Sequence, residues 1–527
     1  MYIPLITKLI KKKHFSKIRS INRGYTQLKN ESKLELLRQL RVILSKTKLT
    51  NTSPLKSFFR QGNFDIELSI RQYLYLKILE PSFNKSFLHS IGSNQSLSHP
   101  LPKEWRDALI THGIEVNNTK SALLWHSHGL LLWGWGVLSE LKSIYFLLKQ
   151  QPNLGKYIYF HNLIDNNIST NPNRHNIVNW YLRWKNRNIE INSICHSVSD
   201  ISDFKLGKVN IVQTDELPKL MRTKLLKYIC FFIYEVIYSF ICLFFKPAFG
   251  FLLRESMKFK RVDLANDVDL ARDYLFNSSS PYYRPIWTYM AEDKGSRILF
   301  YDYSTTKINI KSKNGYLTQE PWHLMNWPHY LVWDEFHAHS ISSFNQCNPV
   351  IENVGHIWFS SSGKKIEIPP ESIAVFDTTP FRPVEFMTKG YPEEYEIFKI
   401  HNQFLSDILS VLQSMGINMV HKQKRITKDN HKSYIRRIRQ LNKELNYINI
   451  EPSIDPLQVI QKTKACISIS FTSTAMIANQ EGKPSVFYDP TDIIQKDDRE
   501  AHGIPVLNGI DELKVWIESI KNNIDYE

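Results

Sequence analysis

The sequence predicts an α/β protein in which two Rossmann-like domains face a cleft, preceded by a helical N-terminal extension. Three observations support this prediction. Short apolar segments alternate with helical segments from about residue 121 onward, and strands separated by helices of this length form parallel βαβ units. The chain has 527 residues, which is enough for two or three domains. Its composition, 42% hydrophobic and 13% aromatic, excludes an intrinsically disordered chain.

The order of these segments divides the chain into three regions. Residues 1–120 are predicted to be mixed and helical, residues 121–365 to form the first Rossmann-like domain, and residues 366–527 to form the second. The predicted strands are 157–160, 209–212, 298–301, 330–333, 356–359, 373–376, 419–421, 448–450, 466–469 and 486–488. The predicted helices of the second domain are 393–414, 432–445, 456–463 and 511–520.

Two long apolar helices interrupt the alternation. Residues 121–148 are predicted to form a buried helix, since Gly134 and Gly136 allow close packing. Residues 228–245 are long enough to cross a bilayer, but they contain Glu235, and cations flank them on both sides. We expect an interfacial, membrane-associated helix on anionic lipid. Burial in the core and a membrane-spanning helix are the alternatives that stay open.

The most informative local pattern is a strand that leads through hydroxyl side chains into a helix. Thr472, Ser473 and Thr474 follow the predicted strand 466–469, and a helix is predicted to start at Ala475. The N-terminus of a helix carries free N–H groups and a partial positive charge. The pattern therefore predicts a phosphate site. Ordinary N-capping of the helix is the alternative.

Charged side chains follow two other predicted strands of the same domain. Lys422, Lys424 and Arg425 follow one of them, and Asp377 and Arg382 follow the other. Because the carboxyl ends of parallel strands meet at one edge of a sheet, we expect these residues beside the hydroxyl cluster. The cations are suited to phosphate, and Asp377 is expected to bind a ribose or a base. A solvated basic face and a simple turn are the respective alternatives.

Two carboxylates in the first domain are the candidates for a catalytic base. Asp334 and Glu335 follow the predicted strand 330–333, at the edge that would face the phosphate site. Capping of the following segment is the alternative interpretation. Asp302 follows strand 298–301 and has the same topology with weaker support.

The sequence predicts no metal site and no cofactor. Asp267 and Asp269 form a DxD pattern, but they lie in residues 262–276, whose spacing predicts a helix with these carboxylates on its solvent face. The two His-x-His pairs lack a third ligand. Neither a P-loop nor a GxGxxG dinucleotide motif is present.

The charge and the cysteines suggest where the protein works. A net charge of +16 indicates an anionic partner. The chain has no zinc-finger, RRM or KH pattern, which argues against nucleic acid. Five cysteines without CxxC spacing indicate a reducing compartment. The N-terminus lacks the pattern of a secretory signal. We therefore expect a cytoplasmic protein, peripheral on the inner face of the cytoplasmic membrane.

Residues 470–475, Ser-Phe-Thr-Ser-Thr-Ala, resemble the motif that names the bacterial PFTS-motif polysaccharide biosynthesis proteins. Further segments similar to that family are 327–328 with 332–335, 354–359, 377–382 and the basic run 421–425. The likeness covers roughly residues 270–520. Ser470 and Gln423 stand where the family usually has Pro, so the hydroxyls and cations match while the two loops depart from the pattern.

The resemblance implies a GT-B fold and a metal-independent glycosyltransferase of surface polysaccharide (capsule or O-antigen) assembly. Such an enzyme transfers a sugar from a nucleotide-sugar in the second domain to a growing, lipid-linked glycan acceptor in the first. The hydroxyl and cation arrangement looks similar to transferases that use CMP-linked acidic sugars; UDP or another nucleotide stays open. The alternatives are a non-catalytic membrane-associated scaffold, or another GT-B-fold enzyme such as a nucleotide-sugar epimerase or a polyol-phosphate transferase.

Overall fold

The computed structural model describes most of the chain. The residues described are 3–50, 59, 65–80, 82–148, 154–163, 168–171, 176–184, 191–199, 201–245, 248–304, 311, 316, 322–344, 347–357, 366–380, 382–384, 395, 397–424 and 432–524.

Helices precede the first sheet, as the sequence predicts. They are α1 Ile3–Asn30, α2 Glu35–Lys46, α3 Ile66–Leu74 followed by a π-helical turn Tyr75–Leu79, α4 Phe83–Ser93, α5 Lys103–Thr111 and α6 Asn118–Leu147. Helices α1 and α4 cross in very close contact because glycine faces backbone on both sides. A Cβ atom on Gly24 would lie 2.1 Å from the Leu88 carbonyl oxygen, and one on Gly92 would lie 1.9 Å from that of Ser20.

The first sheet has eight strands within the described residues. They are β1 Tyr157–Phe160, β2 Ser193–His196, β3 Phe204–Leu206, β4 Val209–Gln213, β5 Asp273–Ser278, β6 Arg297–Asp302, β7 His329–Val332 and β8 Val350–Asn353. Their order is β3-β4-β2-β1-β5-β6-β7-β8. All neighbours pair in parallel except β3 with β4. Helices cover the two faces of a sheet of this kind, and β1 and β2 are accordingly buried along their whole length.

The helices between these strands are α7 Ile177–Trp184, α8 Arg222–Leu243, α9 Ala248–Leu264, α10 Trp287–Asp293 and α11 Glu335–Phe344. Helix α9 connects the outer helices to the sheet. Leu252 and Val262 on α9 belong to the core that also contains β5 and β6. Leu253 and Met257 on the same helix pack instead with α8. Helix α9 therefore packs against both the sheet and α8.

The second sheet has six strands in the described part of the chain, all parallel. They are β9 Ser372–Phe376, β10 Asn418–Lys422, β11 Tyr447–Ile450, β12 Ala465–Ile469, β13 Ser485–Asp489 and β14 Val506–Asn508, in the order β11-β10-β9-β12-β13-β14. The helices are α12 Phe398–Ser414, α13 Lys432–Leu441, α14 Pro456–Lys462, α15 Ser473–Gln480 and α16 Gly509–Ile524.

Each sheet reverses its direction of growth beside its first strand. In the first sheet the reversal lies between β1 and β5, and in the second it lies between β9 and β12. Loops that leave adjacent strands in opposite directions open a crevice at this point. The two doubly wound sheets confirm the predicted GT-B-like fold class. The sheets fall within the predicted regions 121–365 and 366–527, whose limits stay predictions.

Most predicted strands are present within a residue or two of their expected limits, and the errors have local causes. Residues 262–276 were predicted to be one helix, which is wrong: α9 ends at Leu264, and β5 begins at Asp273. The polar residues Asp273 and Asn277 interrupt the apolar run of β5, so the sequence did not indicate a strand there. Strands β2, β3, β8 and β14 were not predicted. Residues 356–357 are not a strand, and residues 358–359 lie outside the described part.

The prediction that residues 121–148 form a buried helix is wrong. On α6 the buried side is made of Ser121, Trp125, Gly129, Gly136 and Glu140, and most of its leucines are exposed. The helix packs against α8, which corresponds to the other apolar helix, predicted at residues 228–245. By length and composition α8 is the one described helix that could cross a membrane, which is weak support for a span.

Acid should destabilise the N-terminal helices through His99. This imidazole is buried, its Nδ1 lies 3.0 Å from the Ser86 hydroxyl, and burial lowers its pKa from 6.5 to about 4. The unfolded chain therefore binds this proton first as the pH falls, and stability decreases between pH 6.5 and about 4. The difference between these pKa values corresponds to about 3 kcal/mol.

Replacing the imidazole tests this expectation. In thermal melts at several pH values, His99→Gln should lose less stability than the wild type between neutral and acidic pH. Other buried groups, such as His161, whose pKa is also lowered to about 4, stay in both proteins and provide the shared background. Parallel pH profiles for the two proteins would contradict the assignment.

Candidate functional site

A cleft of about 500 Å³ lies where the two domains meet, and the carboxyl ends of strands from both sheets line it. The first domain contributes Asn162, Asn277, Ser279, Tyr303 and Ser304. The second contributes Phe376, Asp377, Lys422, Lys424, Pro452, Ser453, Ile454, Asp455, Pro456, Thr472, Ser473 and Thr474. Both reversal points of the sheets therefore open into one cavity.

The hydroxyl cluster forms one side of the cleft at the start of α15. The Thr472 hydroxyl donates to the Ile469 carbonyl at 3.1 Å and lies 3.0 Å from the Thr474 hydroxyl, which is 2.8 Å from that of Ser468. The Thr472 side chain makes no capping bond to the N–H groups of α15. The first turn of the helix thus brings uncapped N–H groups to the cleft, which suits an anion.

Two of the predicted cations line the same cleft in different ways. Lys422 is buried, and its Nζ donates to the carbonyls of Gln423 at 3.4 Å and Pro452 at 3.3 Å. Burial lowers the pKa of Lys422, opposed by the nearby Asp455 and Asp377 carboxylates. Lys424 is exposed. The cleft therefore has one lysine held in place and a second at its surface.

Asp377, predicted to bind the nucleotide, is part of the cleft lining. Its carboxylate, however, points into the second domain. The Tyr434 hydroxyl donates to it, and His421 Nε2 lies 3.3 Å away. Burial and then this carboxylate raise the pKa of Tyr434 well above its ordinary value. The geometry therefore favours a structural role for Asp377. Arg382 is exposed and does not belong to the lining, and Arg425 lies outside the described residues.

The first-domain wall is built from side-chain amides and hydroxyls. Asn162 Nδ2 donates to the Asn277 carbonyl at 3.0 Å, and Asn277 Nδ2 donates to the His161 carbonyl at 2.6 Å. These two bonds tie the end of β1 to the end of β5. The Asn162 side chain also hydrogen-bonds the Tyr282 hydroxyl, so this wall is a connected set of amides and hydroxyls.

A buried pair, Asp302 with His337, supports the loop that follows β6. The Asp302 carboxylate, fully buried just before Tyr303 and Ser304, lies 3.2 Å from His337 Nε2. The Trp333 N–H donates to Nδ1 of that histidine at 3.3 Å, so the ring proton sits on Nε2 and is donated to Asp302. The pair holds the end of β6 against the start of α11.

The structure does not bring Asp334 and Glu335 to the cleft lining. Asp334 accepts from the His337 N–H at 2.8 Å, and its carboxylate lies 2.7 Å from His502 Nδ1 in the second domain. Burial raises its pKa, but the His502 hydrogen bond and charge and the His337 N–H outweigh burial, and the pKa is lowered overall. Glu335 is exposed. Their catalytic role stays a prediction, and the contacts seen for Asp334 are those of a helix cap and an interdomain pair.

Several lining residues were not predicted as site residues. Ser453 and Asp455 follow the predicted strand 448–450, so the rule that strand ends converge was sufficient to find them. The same rule applied to Asn162, Tyr303 and Ser304. Asn277 and Ser279 were missed for another reason, because β5 was taken for a helix.

The described residues contain no group of three His, Cys, Asp or Glu side chains that could hold a metal ion. Asp267 and Asp269 form a short 3-10 turn, with Lys294 Nζ 3.4 Å from Asp267 and Asn266 Nδ2 2.7 Å from Asp269. They lie outside the cleft lining. That the protein uses no metal and no cofactor stays a prediction.

The Asp334–His502 contact can be tested separately from catalysis. Asp334→Ala should cost about 0.5–2 kcal/mol as a lost cap, and the double-mutant cycle with His502→Ala should show coupling of about 0.5–3 kcal/mol. Glu335→Ala, one residue away and exposed, is the control and should change stability by less than about 0.5 kcal/mol. Additive effects in thermal melts would refute the pair.

Loss of turnover in Asp334→Asn at unchanged stability and ligand affinity would support the role of Asp334 as a base.

Solved structures that resemble this chain include three with low identity. S. aureus TarM has 12% identity and a TM-score of 0.31, with 47% of this chain and 48% of that chain covered. S. aureus MnaA, solved with UDP, has 8% identity and a TM-score of 0.36, with 69% and 87% covered. The wall teichoic acid polymerase TagF has 8% identity and a TM-score of 0.38, with 75% and 88% covered. The match to TarM spans about half of that protein's length.

Comparison by sequence gives a family. No curated protein matches the chain significantly. A family described as "polysaccharide biosynthesis PFTS motif protein" matches residues 234–517, which is more than half of the chain and includes the hydroxyl cluster and the lining lysines. The chain belongs to this polysaccharide biosynthesis family.

Proposed function

We propose that the protein is a glycosyltransferase that moves a sugar from a nucleotide donor to a growing glycan during surface-polysaccharide assembly. One observation carries the proposal: the uncapped start of α15, its hydroxyl cluster, Lys422 and Lys424 line one cleft with the polar wall of the opposite domain. Membership of a polysaccharide biosynthesis family supports the same function.

The second domain is suited to the leaving group. Breaking the bond between a sugar and a nucleotide leaves negative charge on phosphate oxygens, and fixed N–H groups and cations stabilise that charge. In this cleft the first N–H groups of α15, the hydroxyls of Ser473 and Thr474 and the two lysines would bind the phosphate. We propose that the transfer uses no resident cofactor or metal, because these N–H groups and cations stabilise the charge of the leaving phosphate.

The first domain is suited to the acceptor. Asn162, Asn277, Tyr303 and Ser304 offer donors and acceptors of the kind that bind sugar hydroxyls. A growing glycan on a lipid carrier would enter from this side. We propose that helix 228–245 keeps the protein on an anionic membrane at the cytoplasmic face, where such a carrier is available. The Asp334 and Glu335 base role and the CMP-linked donor remain predictions without further support.

The first experiment is thermal stabilisation of the full chain by a panel of CMP, CDP, UMP, UDP, GDP and ADP. A nucleotide at about 100 times its dissociation constant should add about 2.7 kcal/mol of stability. Lys424→Ala should weaken that nucleotide about tenfold or more because a charge-assisted bond is lost. Ser473→Ala should have a smaller effect in the same direction.

Lys514→Ala is the matched control, because Lys514 is an exposed lysine on α16 away from the cleft. It should leave the shift unchanged. A shift that survives in both cleft variants would place the nucleotide elsewhere. No shift with any nucleotide, in protein that melts cooperatively, would favour the non-catalytic scaffold.

A further inference from the structure

Helices α6 and α8 carry an inverted distribution of polarity. The described exposed side contains Leu131, Trp135 and Leu138 of α6, with 71%, 63% and 64% of each residue exposed, and Ile233 and Ile237 of α8, with 54% and 57% exposed. A surface helix of a water-soluble protein turns such residues toward the core. We call this surface the α6–α8 apolar surface.

Two carboxylates of the same helices lie inside. Glu140 and Glu235 are 3% and 1% exposed. The Tyr228 hydroxyl donates to Glu140 Oε2 at 2.8 Å, and Trp133 Nε1 donates to the Ser239 hydroxyl at 3.0 Å. These two bonds pair polar groups of α6 with polar groups of α8, whose burial without a partner would be costly. The helices are therefore folded as they would be in an apolar surrounding.

The two helices run antiparallel and side by side. Trp133 contacts Ser239 near the end of α8, while Glu140, further along α6, contacts Tyr228 near its beginning. Their exposed apolar residues recur three or four positions apart, at 131, 135 and 138 and at 233 and 237. This spacing places each set on one helix face.

The helix that follows α8 argues against a crossing. Leu252 and Val262 of α9 are fully buried in the core that also contains β5 and β6. Lys224, in the first turn of α8, donates to Asn266 just beyond α9 at 2.6 Å. The start of α8 and the chain after α9 are thus held together on the domain, so α8 lies along it.

The charges beside the α6–α8 apolar surface favour anionic lipid over a second copy of the chain. Cations lie on the described exposed parts of the same helices, with Lys142 on α6, Arg222 and Lys227 on α8, and Arg254 on α9. The whole chain carries a net charge of +16. A second copy would bring the same positive charge, whereas anionic lipid headgroups complement it.

From the inverted polarity and the flanking cations, we infer that α6 and α8 lie together in the plane of an anionic bilayer, with the α6–α8 apolar surface in contact with acyl chains. The bound depth of such helices is about 5–10 Å. The single interfacial helix of the proposed function thereby becomes a two-helix unit. This inference does not depend on glycosyl transfer.

Vesicle co-sedimentation of the full chain tests the inference. The wild type should bind vesicles of phosphatidylethanolamine with phosphatidylglycerol more tightly than vesicles of phosphatidylcholine. Leu138→Glu with Ile237→Glu should reduce binding by at least about tenfold, since both apolar contacts are lost and both charges repel the lipid. The control is Leu445→Glu with Val515→Glu, exposed apolar residues of the second domain at 81% and 66%, which should bind as the wild type does.

Three results would overturn the inference. The first is wild-type protein that stays in the supernatant, and the second is a Leu138/Ile237 variant that binds as well as the control. The third is a lipid-free dimer by size exclusion that the variant converts to a monomer, with no vesicle binding, because the surface would then join two copies. An unchanged thermal melt of the variant shows that it is folded.

The depth of α6 in the bilayer can be measured through the fluorescence of Trp135. Trp135 is exposed on α6, so lipids with brominated acyl chains should quench the wild type more than Trp135→Leu, which keeps the surface apolar. Equal quenching of the two proteins would contradict insertion at α6. A failed nucleotide panel leaves both lipid measurements unaffected, so the two proposals can fail separately.

Discussion

The parallel pairing of β9 with both β10 and β12 is the constraint on which the candidate site depends. The register places Phe376 beside Lys422 on one side and beside Ser468 on the other. The strands therefore stop at the same level, and the loops after them, with Asp377, Lys424 and the hydroxyl cluster, emerge at one edge. Because the chain continues from β9 to β10 on one side and from β12 to β13 on the other, the loops after β9 and β12 separate and leave the crevice open.

Buried polar groups keep the strand ends in this register. Asp377 with Tyr434 and His421 holds the end of β9 to β10, and Asp302 with His337 holds the end of β6. Each of these groups is costly to bury alone and is stabilised by its partner. The cleft can thus present amides, hydroxyls and lysines while the carboxylates nearest the strand ends serve the framework.

The outer helices show the reverse arrangement. The domain cores bury apolar residues and turn charge outward, whereas α6 and α8 bury Glu140, Glu235 and Ser239 and expose leucine and isoleucine. One chain with both arrangements fits two surroundings. A transferase whose acceptor is carried on a lipid would need both, with a polar cleft for the nucleotide and an apolar surface for the carrier's membrane.

By itself, the sequence determined the alternation of strands and helices, the hydroxyl cluster at the start of α15 and the lysines at the end of β10. These are local properties, set by periodicity and by residue type at strand ends. Only the tertiary structure decided which residues share the cleft, that the Asp377 carboxylate turns inward, and that Asp334 pairs with His502. The sequence could not separate a buried helix from an inverted one at 121–148 either, because an apolar run has the same composition whether protein or lipid covers it. Contacts between distant segments settle each of these, and no local pattern encodes them.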